Sequence, residues 1–554
     1  MFLEADRDSG DTAGVRKARG AFFTPDAIAR FIVDWAVRDQ ADTVLEPSAG
    51  DAAFLVQAVR RLKELGGSQL VPTVSGVEIH EYSARIGRKR VIDAGGDPII
   101  TVSDFFDVDP EAKYSAVVGN PPYIRFQDFA GDARGKARAA ALRAGVPLTG
   151  LASSWAAFTV QSASFVKPGG RLALVLPAEL LSVNYAGPVR RFLFDSFGSV
   201  NLVLFEHQVF AEAEADVVLV LADQRGGGPA THATVHQAVD ASSLADTMAT
   251  LTWTPADPAG KWTGLALDPE ASEPLKSLLE SGQFTHLESW GETTLGMVTG
   301  NNQYFTLSPR RVAQLKIARR DLIRISPPGS GHLRGLDLTS GMLSRLGSEG
   351  KSTWLFRPSN TPSAGARAYI QTGEARGVDQ AYKCRVRTPW YRVPLVPAPD
   401  LFLTYMNADT PRLTHNAAGA HHLNSVHGVY LSKEAREIGP QLLAIASVNS
   451  VTMLHAELVG RSYGGGVLKI EPREADRWAV PSIELVTNRR ARLEAIRERV
   501  HSCLAAGQPM EAARLVDTVL FDGIEVMDRE AISAVRAARA EQMNRRLERG
   551  KNRG

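Results

Sequence analysis

The stretch Val117-Val118-Gly119-Asn120-Pro121-Pro122-Tyr123 constrains this chain more than any other. An apolar run over residues 114–118 reads as a buried strand, and it ends in an amide, two prolines that stiffen the backbone, and a ring. Loops at strand ends are where open α/β sheets place their chemistry. The Asn120 side-chain oxygen and the Pro121 carbonyl offer two acceptors beside the flat ring of Tyr123, with Pro122 between them. Two acceptors and a ring suit a planar group that carries an exocyclic amine.

The segments before this loop repeat its logic. Residues 24–37 open with Thr24-Pro25-Asp26, in which Thr24 is the expected N-cap and Pro25 fits the first helical position; Ile28, Phe31, Ile32 and Trp35 recur at helical spacing. Residues 43–46 read as a short strand ending in Glu46, and Pro47-Ser48-Ala49-Gly50-Asp51-Ala52 as its exit turn into a helix. Small residues there let backbone approach a ligand. Residues 74–77 lead to Glu78 and Ile79, and residues 99–102 to Ser103-Asp104-Phe105. Four successive strands thus deliver Glu46, Glu78, Asp104 and Asn120 to one sheet edge. Further runs at 171–176, 200–205 and 216–221 bring the strand count to seven.

The order Phe-Thr-Pro, Glu-Pro-Ser-Ala-Gly, Gly-Val-Glu, Ser-Asp-Phe, Gly-Asn-Pro-Pro-Tyr resembles the adenine-N6 DNA methyltransferases of the gamma arrangement, type II restriction-modification enzymes with an NPPY catalytic motif. The resemblance is strong to about residue 225 and looser beyond. It implies a Rossmann-like, seven-stranded class I methyltransferase sheet in residues 1–228 and a connector in 229–290. It further implies a second, mixed α/β DNA-recognition domain in 291–485 and a helical segment in 486–554.

The resemblance also implies S-adenosylmethionine as cofactor, with S-adenosylhomocysteine as product. Thr24, Glu46, Ala49, Gly50, Glu78, Ile79, Asp104, Phe105 and Asn120 would contact the cofactor. Asn120, Pro121, Pro122 and Tyr123 would form the catalytic loop, and Phe22 and Tyr123 the pocket for a flipped adenine. Two departures stand out. Ala52 occupies a position where the family usually has glycine, and Ala222 falls where some members carry an aromatic wall for the target base. An inactive DNA-binding protein, an RNA-adenine enzyme and a protein-glutamine enzyme are the alternatives that share these motifs.

A chain of 554 residues exceeds one ordinary core. Residues 301–554 hold 37 Lys and Arg against 24 Asp and Glu, whereas residues 1–300 hold 26 against 37, so the second half carries the positive field. The expected partner is duplex DNA, contacted by Arg310, Arg311, Lys383, Arg385, Arg387, Trp390, Tyr391, Arg461 and Lys469. Arg125, Arg134, Lys136, Arg138 and Arg143 belong either to a solvated insertion or to a loop lying along DNA.

No metal is expected. His415, His421, His422 and His427 match no familiar zinc spacing, and Cys384 and Cys503 are too far apart for a cysteine cluster. Asp400, after Pro399, has no evident partner for a nuclease cleft. No apolar run approaches the roughly 20 residues needed to span a bilayer. The expectation is therefore a cytoplasmic, bacterial protein, nucleoid-associated when on DNA and monomeric, with no membrane role. A cognate restriction endonuclease or a defence-system partner is possible for such a chain.

Overall fold

Alternation between strand and helix periodicity in the first half builds a doubly wound sheet. The computed structural model describes residues 24–124, 126–205, 209–210, 217–244, 249–255, 257–267 and 269–551. Phe22, Arg125 and Asp216 lie outside the described residues. The chain divides into two units, 1–265 and 266–554.

In the first unit the strands are β1 (Val44–Glu46), β2 (Thr73–Glu78), β3 (Asp97–Val102), β4 (Tyr114–Gly119), β5 (Val166–Pro177), β6 (Phe197–Phe205) and β7 (Val217–Arg225), joined by β8 (Ala233–Ala238) and β9 (Ala249–Trp253). Their order is β3-β2-β1-β4-β5-β7-β6-β8-β9. β1 to β5 are parallel, and β7 runs antiparallel between β5 and β6. The expected seven strands are present, and Ala233–Ala238 and Ala249–Trp253, expected in a connector, extend the same sheet by two strands.

The chain moves outward from β1 to β3 and then returns to β4 beside β1. Such a reversal opens a crevice at the carboxyl ends of the strands. β1 and β4 are paired in register, Leu45 opposite Val117, so Glu46 and Asn120 emerge at that crevice together.

Period-2 alternation explains both faces of the sheet. Val44, Ala116, Val118, Ala173 and Val175 pack with Ile28, Ile32, Phe54, Val59 and Val91 from α1 (Asp26–Ala36), α2 (Ala53–Gly66) and α3 (Glu81–Asp93). Their neighbours Leu45, Val117, Leu172 and Leu174 point the other way. They meet Ala140 of α4 (Gly131–Arg143), Trp155 and Phe158 of α5 (Ser154–Ser164), and Leu193 of α6 (Gly187–Ser196).

α4 lies in the arginine-rich stretch after the catalytic loop, and its cations hold the chain itself. Arg134 donates to the carbonyls of Phe126 and Phe129, Arg138 to that of Leu148 (3.2 Å), and Lys136 pairs with Asp107 (2.6 Å).

The second unit has a large core running from Leu267 through Leu401, Leu443 and Val516 to Val535. Helices Arg490–Ala505, Pro509–Leu520 and Arg529–Lys551 contribute to it, so the C-terminal segment is part of this unit's packing. A smaller cluster surrounds a three-stranded sheet of Thr306–Leu307, Trp354–Phe356 and Leu322–Arg324.

Candidate active site

Asn120 follows the last residue of β4 and is fixed by one of its two polar atoms. Its Nδ2 donates to Thr24 Oγ1 at 3.2 Å, whereas its Oδ1 is buried and has no hydrogen-bond partner among the described residues. Thr24 does not cap α1 as expected. Pro25 takes the cap position without a side-chain bond, which leaves the threonine hydroxyl to orient Asn120. Ser48 donates to the Asn120 carbonyl at 3.2 Å and ties the β1 exit turn to the loop.

The rest of the loop is braced by Ser154, at the start of α5. Its hydroxyl donates to the Pro122 carbonyl and accepts from the Ile124 amide at 2.9 Å. Tyr123 donates to the Val175 carbonyl at 3.0 Å, and its ring packs against the clusters on both faces of the sheet. Burial of the hydroxyl pushes the phenol well above its ordinary pKa. The ring is therefore held from both ends.

Beside the loop lies an acidic edge. Glu46 is 2% exposed and accepts a hydrogen bond from the Leu55 amide at 3.2 Å. Burial, reinforced by the Asp51 and Glu78 carboxylates, pushes its carboxyl well above the ordinary range. Glu78 accepts from the Gly50 amide at 2.8 Å and from the His80 amide at 2.9 Å, so it joins the β1 turn to the end of β2.

Ala49 bonds through its amide to the Val77 carbonyl (2.9 Å), and a side chain on Gly50 would meet open space. Gly50 and Ala52 both have positive φ, 51° and 64°. Ala52 thus holds the left-handed conformation that favours glycine, which is the physical basis of that departure. Asp51 pairs with Arg90, and Ile79 stands 65% exposed beside Glu78.

Two of the expected cofactor positions also have local structural roles. Asp104 accepts from the Phe106 amide at 3.0 Å and caps a short helical turn. The ring of Phe105 is 3% exposed and stacks on Phe158 and Phe165, each at 5.3 Å between centroids, so it belongs to the core.

Ala222 pairs with Leu172 on the antiparallel strand β7, well back from the carboxyl ends of the parallel strands. The connection that returns to that edge is the one leaving β6. There Phe205 and Phe210 pack in the same cluster as Tyr123, with Phe210 only 5% exposed.

The chain that carries this buried amide oxygen, with the buried Glu46 at the end of the neighbouring strand, is similar to known proteins along most of its length. A family model described as N-6 DNA Methylase matches residues 11–248, and one described as Type II methyltransferase M.Eco57I, C-terminal domain, matches residues 259–521. Type II methyltransferase M.AccI of Acinetobacter calcoaceticus is 23% identical over 500 residues, 87% of this chain and 89% of the relative. M.XamI of Xanthomonas campestris pv. amaranthicola is 27% identical over 494 residues, 86% of this chain and 87% of the relative. Among solved structures, the type IIG restriction endonuclease BpuSI is 15% identical with a TM-score of 0.40, over 95% of this chain and 65% of that one.

The chain belongs to the N6-adenine DNA methyltransferases. It is an adenine-specific DNA methyltransferase with the catalytic half first and the matched C-terminal domain after it.

In the second unit of this methyltransferase the expected DNA contacts separate into two groups. Arg310, Arg311, Lys383 and Arg385 are exposed. The others are engaged internally. Arg387 donates to the Thr299 and Val298 carbonyls (2.8 and 2.6 Å), and Trp390 donates to Glu374 (3.1 Å) while packing, with Tyr391, on the small cluster. Arg461 pairs with Glu474, and Lys469 with Glu471 at 2.6 Å. These internal bonds show that the interleaved cations and aromatics contribute to the packing of the unit.

The histidines are likewise dispersed. His415 bonds Asp337 (2.9 Å), His421 the Val396 carbonyl (2.7 Å) and His427 the Ile470 carbonyl (2.8 Å). His422 is fully buried, which pushes its pKa down to about 4. Among the described residues no group of three or more His, Cys, Asp or Glu is placed to hold a metal ion. Asp400 accepts from Arg436 and from the Leu431 amide. Among the described residues no single helix is long and apolar enough to cross a membrane.

Proposed function

We propose that this methyltransferase modifies N6 of an adenine swung out of duplex DNA into the crevice at Asn120. The observation that carries the reading is the Asn120 Oδ1, buried and unpartnered while its Nδ2 is pinned by Thr24. A buried acceptor left open costs about 1–3 kcal/mol, a cost removed when a donor arrives.

The residues present fit S-adenosylmethionine. Glu46 is a buried carboxylate with a raised pKa, suited to a cationic amino group. Glu78, held by two backbone amides at the end of β2, would hold the ribose hydroxyls; Ile79 is an exposed apolar surface beside it, and Gly50 leaves room for close approach. S-adenosylmethionine, when bound, supplies the electrophilic methyl group.

Asn120 Oδ1 and the Pro121 carbonyl accept the two amino hydrogens and draw the nitrogen toward a pyramidal shape, lone pair outward. Tyr123 presents its ring to the base, and Phe205 and Phe210 are the candidate opposing wall. Base stacking on such a ring returns about 1–3 kcal/mol against the cost of unstacking. Catalysis is positioning plus electrostatics: Asn120 Oδ1 accepts a hydrogen bond from the amino group, and the methylated nitrogen, then cationic and strongly acidic, loses its extra proton to water.

The relatives are named as type II methyltransferases, which supports a place in restriction-modification beside a cognate endonuclease or other defence protein. On this reading the enzyme acts on chromosomal DNA, in the bacterial cytoplasm and as a monomer. Single-molecule sequencing of genomic DNA from cells with and without the protein tests the proposal. Adenine modified at one recurring sequence only in the expressing cells supports it; unmodified adenine in both refutes it.

A further inference from the structure

The positive charge of the second unit is concentrated. Residues 301–399 carry 16 Lys and Arg against 5 Asp and Glu, 11 of the 13 excess positive charges of residues 301–554. Beyond residue 400 most arginines are neutralised locally, as in Arg436–Asp400, Arg492–Asp522, Arg536–Asp517 and Arg546–Glu457. Around the small three-stranded sheet they are not. Among the described residues no acid lies within ion-pair distance of Lys316, Arg319, Arg320 or Arg324. Asp321, the acid nearest in sequence, is fully buried and accepts from the Ser363 amide at 3.1 Å.

Two of these cations share one ring. The Arg319 guanidinium carbon sits 3.6 Å from the centroid of Trp354, and that of Arg324 sits 5.3 Å from it. Trp354 is 7% exposed and fixed in the middle strand of the sheet, and Arg324 is held by the Ser344 hydroxyl at 3.0 Å. A groove of about 240 Å³ opens here, lined by Pro309, Val312, Lys316, Arg319, Leu322 and Trp354. Two like charges on one ring, with no acid between them, repel. The repulsion also depresses the pKa of Arg324, after the larger effect of burial. An anion beside the two guanidinium groups relieves that cost, and an arginine held over an indole presents its donors without further loss of side-chain freedom.

We propose that Arg319 and Arg324, set against Trp354, form a phosphate clamp that grips the backbone of the DNA duplex. The proposal rests on the methyltransferase reading above and adds where the second unit takes hold of the polyanion. The clamp reads phosphate, so it contributes affinity without sequence preference.

Arg319→Gln, Arg324→Gln and the double variant, made in the full chain, test it by fluorescence anisotropy on a cognate and an unrelated duplex over a KCl series. Each substitution is expected to lower the slope of log affinity against log salt by about 1 and to weaken both duplexes several-fold alike. S-adenosylmethionine affinity and turnover at saturating DNA stay at the parent values. Unchanged slopes overturn the clamp, as does loss of binding to ATP, used as a free-nucleotide probe, with duplex binding intact. A parent enzyme that methylates no adenine overturns the methyltransferase reading itself; a parent that methylates while the variants keep its salt slope overturns the clamp alone.

Discussion

Thr24 Oγ1 accepts a hydrogen bond from Asn120 Nδ2 at 3.2 Å, and this one contact decides which way the catalytic amide faces. With the nitrogen held, the oxygen is the polar atom left without a partner among the described residues. Thr24→Val removes the acceptor at nearly constant shape. The turnover number is expected to fall about 10-fold or more, matching roughly 1.4 kcal/mol or more of lost orientation, while DNA affinity stays within about 2-fold. Thr24→Ser restores most of it. Steady-state kinetics with separate KM and kcat check this, and a valine variant with parental turnover contradicts it.

Tyr123 has two separable parts. Its hydroxyl bonds the Val175 carbonyl, so Tyr123→Phe costs about 1 kcal/mol of stability and leaves turnover nearly intact. Tyr123→Ala removes the ring as well and is expected to weaken duplex capture by about 10-fold or more, through about 1–3 kcal/mol of lost stacking. Thermal unfolding and KM for DNA distinguish the two losses. Equal kinetics for the alanine and phenylalanine variants argue against a role for the ring.

Glu46 predicts a pH dependence. Its folded pKa is raised above the ordinary 4.5, by burial first and then by Asp51 and Glu78. A raised carboxyl pKa gives stability that is full below the unfolded pKa and lost as pH rises through the folded one. A cationic cofactor needs the ionised form, so binding releases a proton below the folded pKa and strengthens as pH rises through it. Calorimetry of S-adenosylmethionine binding in buffers of different ionisation enthalpy measures that proton. Glu46→Gln is expected to abolish the release and to weaken binding about 10-fold or more. A buffer-independent enthalpy and a flat affinity contradict the assignment.

Ala52 carries left-handed strain at φ 64°. Ala52→Gly is expected to stabilise the fold by up to about 1 kcal/mol, the added freedom of the unfolded chain offsetting part of the relief. Denaturant unfolding of the full chain checks the sign, and a destabilised glycine variant contradicts the account of this departure.

Much of the catalytic half was legible because each functional side chain follows directly on an apolar run. Glu46, Glu78, Asp104 and Asn120 end β1 to β4 or lie within two residues of them, and parallel strands beside one another bring their ends to one edge. What escaped the sequence depends on pairing across the sheet. Ser154 reaches the Pro122 carbonyl from 32 residues away, and nothing local distinguishes it from an ordinary helix-start serine. Ala222 lies on a strand whose antiparallel direction carries it away from the site, whereas Phe205 and Phe210, in the same cluster as Tyr123, follow on β6, which is parallel to β1 to β5.

In the second unit, cations among aromatics look alike in sequence whether they face solvent or a carboxylate. Lys469 and Arg461 have acids two and 13 residues on, in an adjacent turn, whereas Arg319 has none within reach. The difference is set by tertiary placement of the acids, and composition alone carried only the net excess.

The most direct test of the central claim is single-turnover methyl transfer from labelled S-adenosylmethionine to duplex DNA by the parent and by Asn120→Ala, with cofactor binding measured on the same samples. The account predicts N6-methyladenine from the parent, loss of transfer by at least about 1000-fold in the variant as a transition-state acceptor is removed, and measurable cofactor binding in both. Transfer by Asn120→Ala at a rate near that of the parent would contradict it.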